Sequence, residues 1–328
     1  MKSNLNRRRF LKSTLLAPAA AGLAFNFEEH ALRAASTGAA VPAPALPARA
    51  AAMPRGKIGK LEISRLICGG NLTSGFAHSR DLIYVSALLK QYFTVEKIHA
   101  TWRKCEENGI NTAVLRVDDQ VVRLITDYWY AEGGKLQWIA QCTLPQDDWK
   151  SAILKAVDTG AHAAFVHGGV ADAYVQNRRI DDLAKAVELI RKNGLLAGIG
   201  AHMTAVPVAL SNRGVDVDFW MKTFNEKKYW SAGPMPRLDS VFEETPEQTM
   251  AFMRTNVKPW IAYKVLGAGA IKPAEGFRYA FENGADFLCV GMFDFQVEQD
   301  AGIARQILGA PLKRARPWRG GAHTPTGA

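Results

Sequence analysis

Short runs of β-forming residues alternate with amphipathic helical patterns between residues 61 and 308, and this alternation restricts the possible folds more than any other feature of the chain. Most helical stretches repeat apolar residues at three- and four-residue spacing, and several end in a glycine, such as Gly109 and Gly194. The regular alternation predicts an α/β fold with a parallel sheet. The predicted strands are residues 63–69, 112–116, 137–142, 163–166, 196–201, 215–220, 260–265 and 287–291.

Eight strands that alternate with eight helices are typical of a (β/α)8 TIM barrel, in which the sheet closes on itself. A doubly wound open sheet would give a similar pattern. However, the first strand is not followed by the Gly-x-Gly-x-x-Gly turn of dinucleotide-binding sheets, so we predict the barrel. The predicted helices are residues 95–108, 118–130, 147–159, 180–193, 205–213, 246–256, 273–283 and 296–308.

The N-terminal region differs from the barrel in composition. Residues 6–12, Asn-Arg-Arg-Arg-Phe-Leu-Lys, precede an apolar run at residues 13–25, and together they resemble a twin-arginine export signal. A stretch rich in Ala and Pro follows, and the chain ends in a basic tail. The predicted divisions are a signal segment at 1–35, a linker at 36–53, the barrel at 54–312 and a disordered tail at 313–328.

The export signal predicts that the twin-arginine translocase recognises the chain and carries it to the periplasm. The apolar run at residues 13–25 is too short and too rich in alanine for a stable membrane span. The formal net charge of +10 is concentrated at the ends, since residues 1–52 carry an excess of five positive charges and residues 313–328 carry four. The barrel itself is close to neutral, which argues against nucleic acid as a partner.

Polar residues at strand ends are the candidate functional residues, because the loops behind the strands build the active site of a (β/α)8 barrel. His167 and His202 end the fourth and fifth predicted strands, which are neighbours in such a barrel. Two imidazoles in this position can act as an acid and base pair, or can bind a divalent metal ion if a carboxylate joins them. We predict that His167 and His202 lie side by side, and both roles remain open.

Lys264 lies at the end of the seventh predicted strand and is the third candidate catalytic residue. A lysine here can bind an anion, stabilise an enolate or form an imine, whereas the alternative is an ion pair with a carboxylate such as Asp294. Further polar residues at strand ends, or in the loops behind them, are candidates for binding a small-molecule substrate. They are Asn71, His78, Arg116, Asp118, Gln141, Thr143, Lys222 and Asn225.

Four segments resemble the aldo-keto reductases: the first strand at residues 63–70, the turn at 105–112, the seventh strand at 262–269 and the last strand and helix from residue 284. The resemblance implies a (β/α)8 barrel and NADP-dependent carbonyl reduction by an Asp, Tyr, Lys and His set. Only His167 stands clearly at a matching position, and Asp294 replaces the basic residue that would hold the NADP phosphate. The resemblance therefore concerns the scaffold more than the catalytic residues.

These features support three hypotheses. The leading one is an exported barrel enzyme that acts on a small carbonyl or polyol, sugar-derived, by proton transfer, in an isomerisation, epimerisation or elimination. Long loops at residues 70–94 and 221–245, the second rich in aromatic residues, suit a covered pocket for such a ligand. The first alternative is an aldo-keto reductase-type oxidoreductase with tightly bound nicotinamide nucleotide, and the second is a non-catalytic carbohydrate-binding barrel.

Overall fold

Eight parallel strands close into a barrel in sequence order, with the last strand paired to the first. The predicted (β/α)8 TIM barrel is therefore confirmed. The computed structural model describes residues 52–76, 82, 84–226, 243 and 245–321. The barrel strands are β3 (Leu66–Gly69), β4 (Thr112–Arg116), β5 (Gln137–Cys142), β6 (Ala163–Val166), β7 (Leu196–Ala201), β8 (Phe219–Thr223), β9 (Trp260–Tyr263) and β10 (Phe287–Val290).

Helices cover the outside of the barrel, and each of the eight predicted helices is present within a few residues of its expected bounds. The helices are α1 (Tyr84–Tyr92), α2 (Val95–Glu107), α3 (Asp119–Tyr130), α4 (Ser151–Thr159), α5 (Gly168–Gln176), α6 (Ile180–Lys192), α7 (Ala205–Asn212), α8 (Pro246–Thr255), α9 (Pro273–Glu282) and α10 (Val297–Gly309). Helices α1 and α5 are not among the predicted ones. An antiparallel hairpin of β1 (Arg55–Ile58) and β2 (Leu61–Ser64) also precedes the barrel.

One strand lies elsewhere than the sequence predicts. The apolar pattern places it at residues 215–220, but β8 begins only at Phe219. The Asp218 carboxylate accepts a hydrogen bond of 2.7 Å from the Ala197 amide, which ties the segment before the strand to the start of β7. Lys222 therefore lies within β8, and not in the loop behind the strand as predicted.

Side chains alternate between the two faces of each barrel strand. Val114 on β4 and Phe165 on β6 belong to the inner apolar cluster of the barrel. Arg116 and His167 follow two residues later, so they share the inward direction at the carboxyl ends of the strands. Gln141 on β5 is aligned with Arg116 in the register. The alternation thus gathers these three polar side chains around the carboxyl end of the barrel, which we call the mouth.

The amino-terminal end of the barrel is covered by residues 313–321, which we call the C-terminal strap. The sequence predicts disorder here, but Arg316 is only 3% exposed. Its guanidinium donates to the Met253 carbonyl on α8 at 2.7 Å and to the Asp286 carboxylate at 2.6 Å. The negative end of the helix dipole and this carboxylate offset the buried charge, so the strap packs. Residues 322–328 lie outside the described residues.

The predicted signal segment and nearly all of the predicted linker fall within residues 1–51, which lie outside the described residues. In the part of the chain that the structure does describe, no helix combines the length and the apolar character that a membrane crossing requires. Export by the twin-arginine route therefore stays a prediction.

Candidate active site

His202, the first residue after β7, is held in place by a carboxylate. Its Nδ1 atom lies 2.7 Å from Oδ2 of Asp172, and its backbone N–H donates to Oδ1 at 3.1 Å. The Met203 amide also donates to this Oδ1, at 3.1 Å. Because a carboxylate only accepts hydrogen bonds, Nδ1 carries the hydrogen and Nε2 has the free lone pair. Asp172 thus fixes both the orientation and the tautomer of His202.

Asp172 belongs to α5, a helix that the sequence pattern did not indicate. The helix begins at Gly168, directly after His167. A Cβ atom at residue 168 would lie 2.7 Å from the Tyr263 hydroxyl and 3.1 Å from Cε1 of His202, so glycine is needed for this close approach. The two glycines after His167 were the available signal, because they let a helix start against the strand end, and Asp172 is its first carboxylate.

The structure brings His167 and His202 together at the mouth. Their ring centroids are 6.3 Å apart, with the planes inclined by 72°. Burial, followed by the neighbouring His202 and Lys264 groups, lowers the pKa of His167 to about 4. Burial also lowers the pKa of His202 and outweighs the opposing effect of the Asp172 hydrogen bond. Both imidazoles are therefore uncharged near neutral pH, the state in which a histidine accepts a proton.

Tyr263 lies against the same histidine, and sequence reasoning missed it. Its ring centroid is 5.7 Å from that of His202, and its hydroxyl donates to the Ala201 carbonyl at 3.3 Å. Burial raises the pKa of Tyr263 well above its usual value, so the hydroxyl keeps its hydrogen. The inward direction of Ile261, two residues earlier on β9, was the signal that could have placed Tyr263 inside the barrel.

Lys264 follows β9 and has a φ of 58°, a left-handed conformation that residues other than glycine rarely adopt. Its Nζ atom is 6.0 Å from the centre of the Tyr263 ring, and its charge adds to burial in lowering the pKa of both His167 and His202. Such backbone strain costs about 1–3 kcal/mol and is typical of functional sites. The ammonium group is therefore close enough to the two histidines to affect both electrostatically.

Arg116 and Asp118 interact with each other. Arg116 Nε lies 2.7 Å from Oδ2 of Asp118, and the guanidinium is 4.6 Å from the centre of the Phe76 ring. The other Asp118 oxygen accepts a 2.8 Å hydrogen bond from the Val121 amide and so caps α3. Asp118 therefore has a structural role that accounts for its position, whereas Arg116 remains directed to the mouth.

Lys222 and Asn225 are both 1% exposed. Met221 points into the barrel, so the adjacent Lys222 points to the outer side of the wall, where its Nζ lies 2.7 Å from Oε2 of Glu243. This placement corrects the expectation that Lys222 binds substrate inside the mouth. The Asn225 side chain donates to the Lys264 carbonyl at 3.2 Å, so it supports the loop that carries the lysine.

The remaining predicted binding residues differ in their exposure to solvent. Gln141 is half-buried on the inner face of β5 and is the best placed of them. Asn71 and Thr143 are exposed beyond the ends of β3 and β5. His78 lies outside the described residues, and its role as a ligand contact stays a prediction.

The described residues contain no group of three or more His, Cys, Asp or Glu side chains that could hold a metal ion. The Nδ1 atom of His202 is occupied by Asp172 at 2.7 Å, which leaves Nε2 as the available donor. His167 and His202 thus find no third ligand in this part of the chain. The geometry fits a histidine base held by a carboxylate better than it fits a metal site.

A nicotinamide nucleotide would need neutral or positive groups where its phosphates lie. The start of α10, behind the last barrel strand, carries Glu298 and Asp300 in its first turn. Asp294 precedes this helix and binds Lys97 at 3.1 Å and the Tyr92 hydroxyl. Three carboxylates around one helix start oppose the attraction of the helix dipole for phosphate. The residues at this position therefore do not fit the nucleotide.

Two of the cavities at the described surface bear on where the site lies. One, of about 440 Å³, lies outside the barrel along α6 and the turn at residues 213–216. Its charged side chains pair with each other, as Lys192 and Glu188 do at 2.8 Å. The other, of about 180 Å³, is lined by His202. We place the candidate site at the smaller cavity and the mouth, because the histidines are there.

Comparisons with known proteins establish the fold. No family model matches the chain, and no curated protein matches it. Among solved structures it is similar to a Pseudomonas aeruginosa protein described as an aldo-keto reductase, at 12% identity and a TM-score of 0.56, covering 78% of this chain and 94% of that one. It is also similar to the holo form of an aldo-keto reductase from Bacillus halodurans, at 12% identity and a TM-score of 0.54, covering 79% and 92%. The predicted aldo-keto reductase-like scaffold is thus confirmed at the level of fold.

Proposed function

We propose that this chain is a barrel enzyme that catalyses proton transfer at the carbon next to the carbonyl of a small, hydroxyl-bearing substrate. Isomerisation, epimerisation and elimination share this step. The observation that carries the proposal is the 2.7 Å contact between Asp172 and His202 at the mouth, beside a second uncharged histidine, His167. The carboxylate orients an uncharged imidazole that can act as the base, and the imidazolium that it becomes can act as the acid. The second imidazole is a hydrogen-bond donor beside it.

In the proposed reaction one imidazole removes the proton and the carbonyl becomes an enolate. His202 is the better base, because Asp172 holds its ring and stabilises the imidazolium that forms when Nε2 takes the proton. The proton on the His202 imidazolium is then returned to the neighbouring carbon or oxygen, while the uncharged His167 donates its N–H as a hydrogen bond to the enolate, so both rings end as they began. Positioned acid and base groups of this kind accelerate reactions by about 10²–10⁴-fold.

Lys264 has the second role in the proposal. A negative charge develops on the carbonyl oxygen as the proton leaves, and an ammonium group that is already in place stabilises this charge. Lys264 acts electrostatically on both His167 and His202, which supports its placement beside the reacting atoms. Arg116, whose guanidinium lies over Phe76 at the mouth and pairs with Asp118, is a second positive group there.

An oxidoreductase with a bound nicotinamide nucleotide is the second candidate. It is favoured by the Tyr263 hydroxyl close to Gly168 and His202, because a tyrosine near a histidine can donate the proton that accompanies hydride transfer. It is opposed by Asp294, Glu298 and Asp300 at the start of α10. Burial also raises the pKa of Tyr263, which makes it a weaker acid. Proton transfer without a nucleotide therefore agrees better with the residues present.

Solvent exchange tests the proposal without knowledge of the natural substrate. Dihydroxyacetone and glyceraldehyde are incubated with the protein in deuterium oxide, and proton NMR follows the loss of hydrogen next to the carbonyl. We expect exchange with the wild type and its loss in His202→Gln. His162→Gln is the matched control, since His162 lies at the opposite end of β6 and accepts a 3.2 Å hydrogen bond from the Trp138 amide. Equal exchange by both variants would refute the proposal, and no exchange by the wild type would favour the non-catalytic barrel.

We also propose that the enzyme works in the periplasm. The support is the Arg7-Arg8-Arg9-Phe10-Leu11-Lys12 sequence, in which two arginines, a third residue and Phe-Leu-Lys precede an apolar run. Replacement of Arg7 and Arg8 by lysine keeps the charge and removes the arginine pair. We expect the full-length protein in the periplasmic fraction of a host with this translocase and the double variant in the cytoplasm. Equal amounts of both proteins in the periplasm would contradict this location.

A further inference from the structure

A small cavity borders His202. Its volume is about 180 Å³, and it lies where the loops after β7 and β8 meet. At roughly 30 Å³ for each water molecule, it has room for about six non-hydrogen atoms. Its lining among the described residues is His202, Met203, Thr204, Ala205, Glu243, Thr245 and Gln248.

Hydroxyl groups and one carboxylate form an ordered wall behind this cavity. Thr204 Oγ1 lies 2.7 Å from Thr249 Oγ1 and 3.4 Å from Thr245 Oγ1. The Thr249 hydroxyl donates to Oε2 of Glu243 at 2.9 Å, and the Thr245 amide donates to Oε1 at 2.9 Å. The wall therefore has a fixed arrangement before any ligand enters, which lowers the entropy cost of binding.

The charge of this wall is balanced. Lys222 Nζ lies 2.7 Å from Oε2 of Glu243, and both side chains are 1% exposed. With the Thr245 amide and the Thr249 hydroxyl, three donors reach a carboxylate that has about four acceptor positions, so Oε1 can accept one more hydrogen bond. Glu247 adds a negative charge in the first turn of α8. Among the described residues around the cavity there is therefore no net positive charge to attract an anion.

Two helices begin at the cavity and add hydrogen-bond donors. Helices α7 and α8 start after Thr204 and Thr245, and neither threonine side chain caps its helix. Pro207 and Pro246 have no N–H, and the Val206 amide donates to the Met203 carbonyl at 3.2 Å.

The first-turn amides of Ala205, Glu247 and Gln248 have no partner within their helices, so they are the donors for an oxygen atom placed there. The Gln248 amide group offers both a donor and an acceptor. The cavity thus presents donors and acceptors together.

We propose that this cavity binds the hydroxyl-bearing end of a neutral, polyhydroxylated ligand of about three carbons, with Thr245 and Gln248 as the selecting side chains. A hydroxyl group needs a donor and an acceptor at the same time, and this lining supplies both, whereas a phosphate or carboxylate would meet Glu243 and Glu247. The inference rests on the proposed function in one respect: the ligand's carbonyl would lie at the mouth while its hydroxyl groups fill the cavity next to His202.

Three probes of similar size test this assignment: glycerol, pentan-1-ol and glycerate. Each is titrated into the full-length protein labelled with ¹³C at the methionine methyl groups, and the Met203 signal is identified from Met203→Leu. Met203 lines the cavity, so its methyl resonance reports occupancy. We expect a saturable shift with glycerol, and affinities about fivefold weaker or worse for the other two probes.

The variants Thr245→Val and Gln248→Leu should each weaken glycerol binding about fivefold, because each removes a hydrogen-bonding group. Thr255→Val and Gln120→Leu are the matched controls, since both residues are exposed and lie away from the cavity. Stronger binding of glycerate, or equal binding of pentan-1-ol, would overturn the proposed ligand class. An unchanged Met203 signal with every probe would overturn the site.

Glycerol has no carbonyl group, so this titration does not depend on catalysis. Saturable glycerol binding without any carbonyl exchange would retain the cavity and reject the proton-transfer function. Exchange of the dihydroxyacetone hydrogens without a change in the Met203 signal would retain the proton-transfer function and reject the cavity as a binding site.

Discussion

Asp172 and His202 show how one contact gives a side chain its chemistry. An isolated imidazole has two tautomers and rotates freely, but the 2.7 Å contact to Asp172 selects one tautomer and one orientation. Burial then keeps the ring uncharged, as the lowered pKa of His202 indicates. The histidine alone could be recognised from the sequence at a strand end. The pairing could not, because Asp172 is 30 residues away along the chain and reaches His202 only after α5 has formed.

Replacement of Asp172 by asparagine tests this pairing. The amide keeps the shape but loses the negative charge that stabilises the protonated ring, so we expect exchange of dihydroxyacetone to fall by about 100-fold or more. Asp182→Asn is the control, since Asp182 forms a partly exposed pair with Lys185 at 3.0 Å. A wild-type rate in Asp172→Asn would show that the contact has no part in catalysis.

The backbone at Lys264 gives a prediction that is independent of catalysis. The left-handed φ of 58° strains every residue except glycine. Lys264→Gly and Lys264→Ala both remove the ammonium group, but only the glycine variant relieves the strain. We expect Lys264→Gly to be the more stable of the two by about 1 kcal/mol in chemical denaturation. Greater stability of the alanine variant would contradict the conformation.

Asp300 links stability to pH. It is 3% exposed, and burial raises its pKa from 3.8 to about 6. The folded state thus binds the proton more tightly than the unfolded state. The stabilising contribution of Asp300 to folding is therefore fully present below about pH 4 and is lost as the pH rises to about 6. Asp300→Asn removes this loss. We expect the variant to exceed the wild type by up to about 3 kcal/mol at neutral pH, with the difference gone in acid. A stability difference that stayed constant with pH would exclude the titration of Asp300 as its cause.

Among the elements, the eight main helices and the strands of the barrel follow directly from local sequence patterns. Helix α5 and the C-terminal strap do not. Periodic apolar residues and glycine stops locate the eight main helices because each stretch buries one face. Helix α5 escaped prediction because its start, Gly168-Gly169, has low helix propensity and its formation depends on packing against β7. The packing of the C-terminal strap was not predicted either, because a run of basic residues is normally solvated.

Arg316 tests whether the strap is part of the folded barrel. Its removal leaves the Asp286 carboxylate without its 2.6 Å partner in a buried position, which costs about 3–5 kcal/mol. We expect Arg316→Met to lower the free energy of unfolding by this amount. Lys313→Met, at an exposed position of the same segment, should change it by less than about 0.5 kcal/mol. Similar values for the two variants would mean that the strap does not contribute to stability.

The whole molecule combines a common scaffold with its own set of polar residues at the mouth. The barrel closes through parallel pairing of neighbouring strands, so strand order could be deduced from the sequence. The sequence also identified His167, His202 and Lys264, because strand ends converge in a barrel. It did not identify Tyr263, although the inward direction of Ile261 two residues earlier points to it. It could not identify Glu243, whose position depends on the return of a long connection. Fold similarity to aldo-keto reductases does not define the reaction, which depends on the polar residues at the mouth.

The protonation state of the His202 ring decides whether it can act as the base of the proposed reaction. Nitrogen-15 NMR of the imidazole, with the signal assigned from His202→Gln, reports which ring atom carries hydrogen. The 2.7 Å contact to Asp172 predicts a hydrogen on Nδ1 and a bare Nε2 near neutral pH. This result would establish the base that the proposed proton transfer requires. A hydrogen on Nε2, or a doubly protonated ring at that pH, would contradict the central claim.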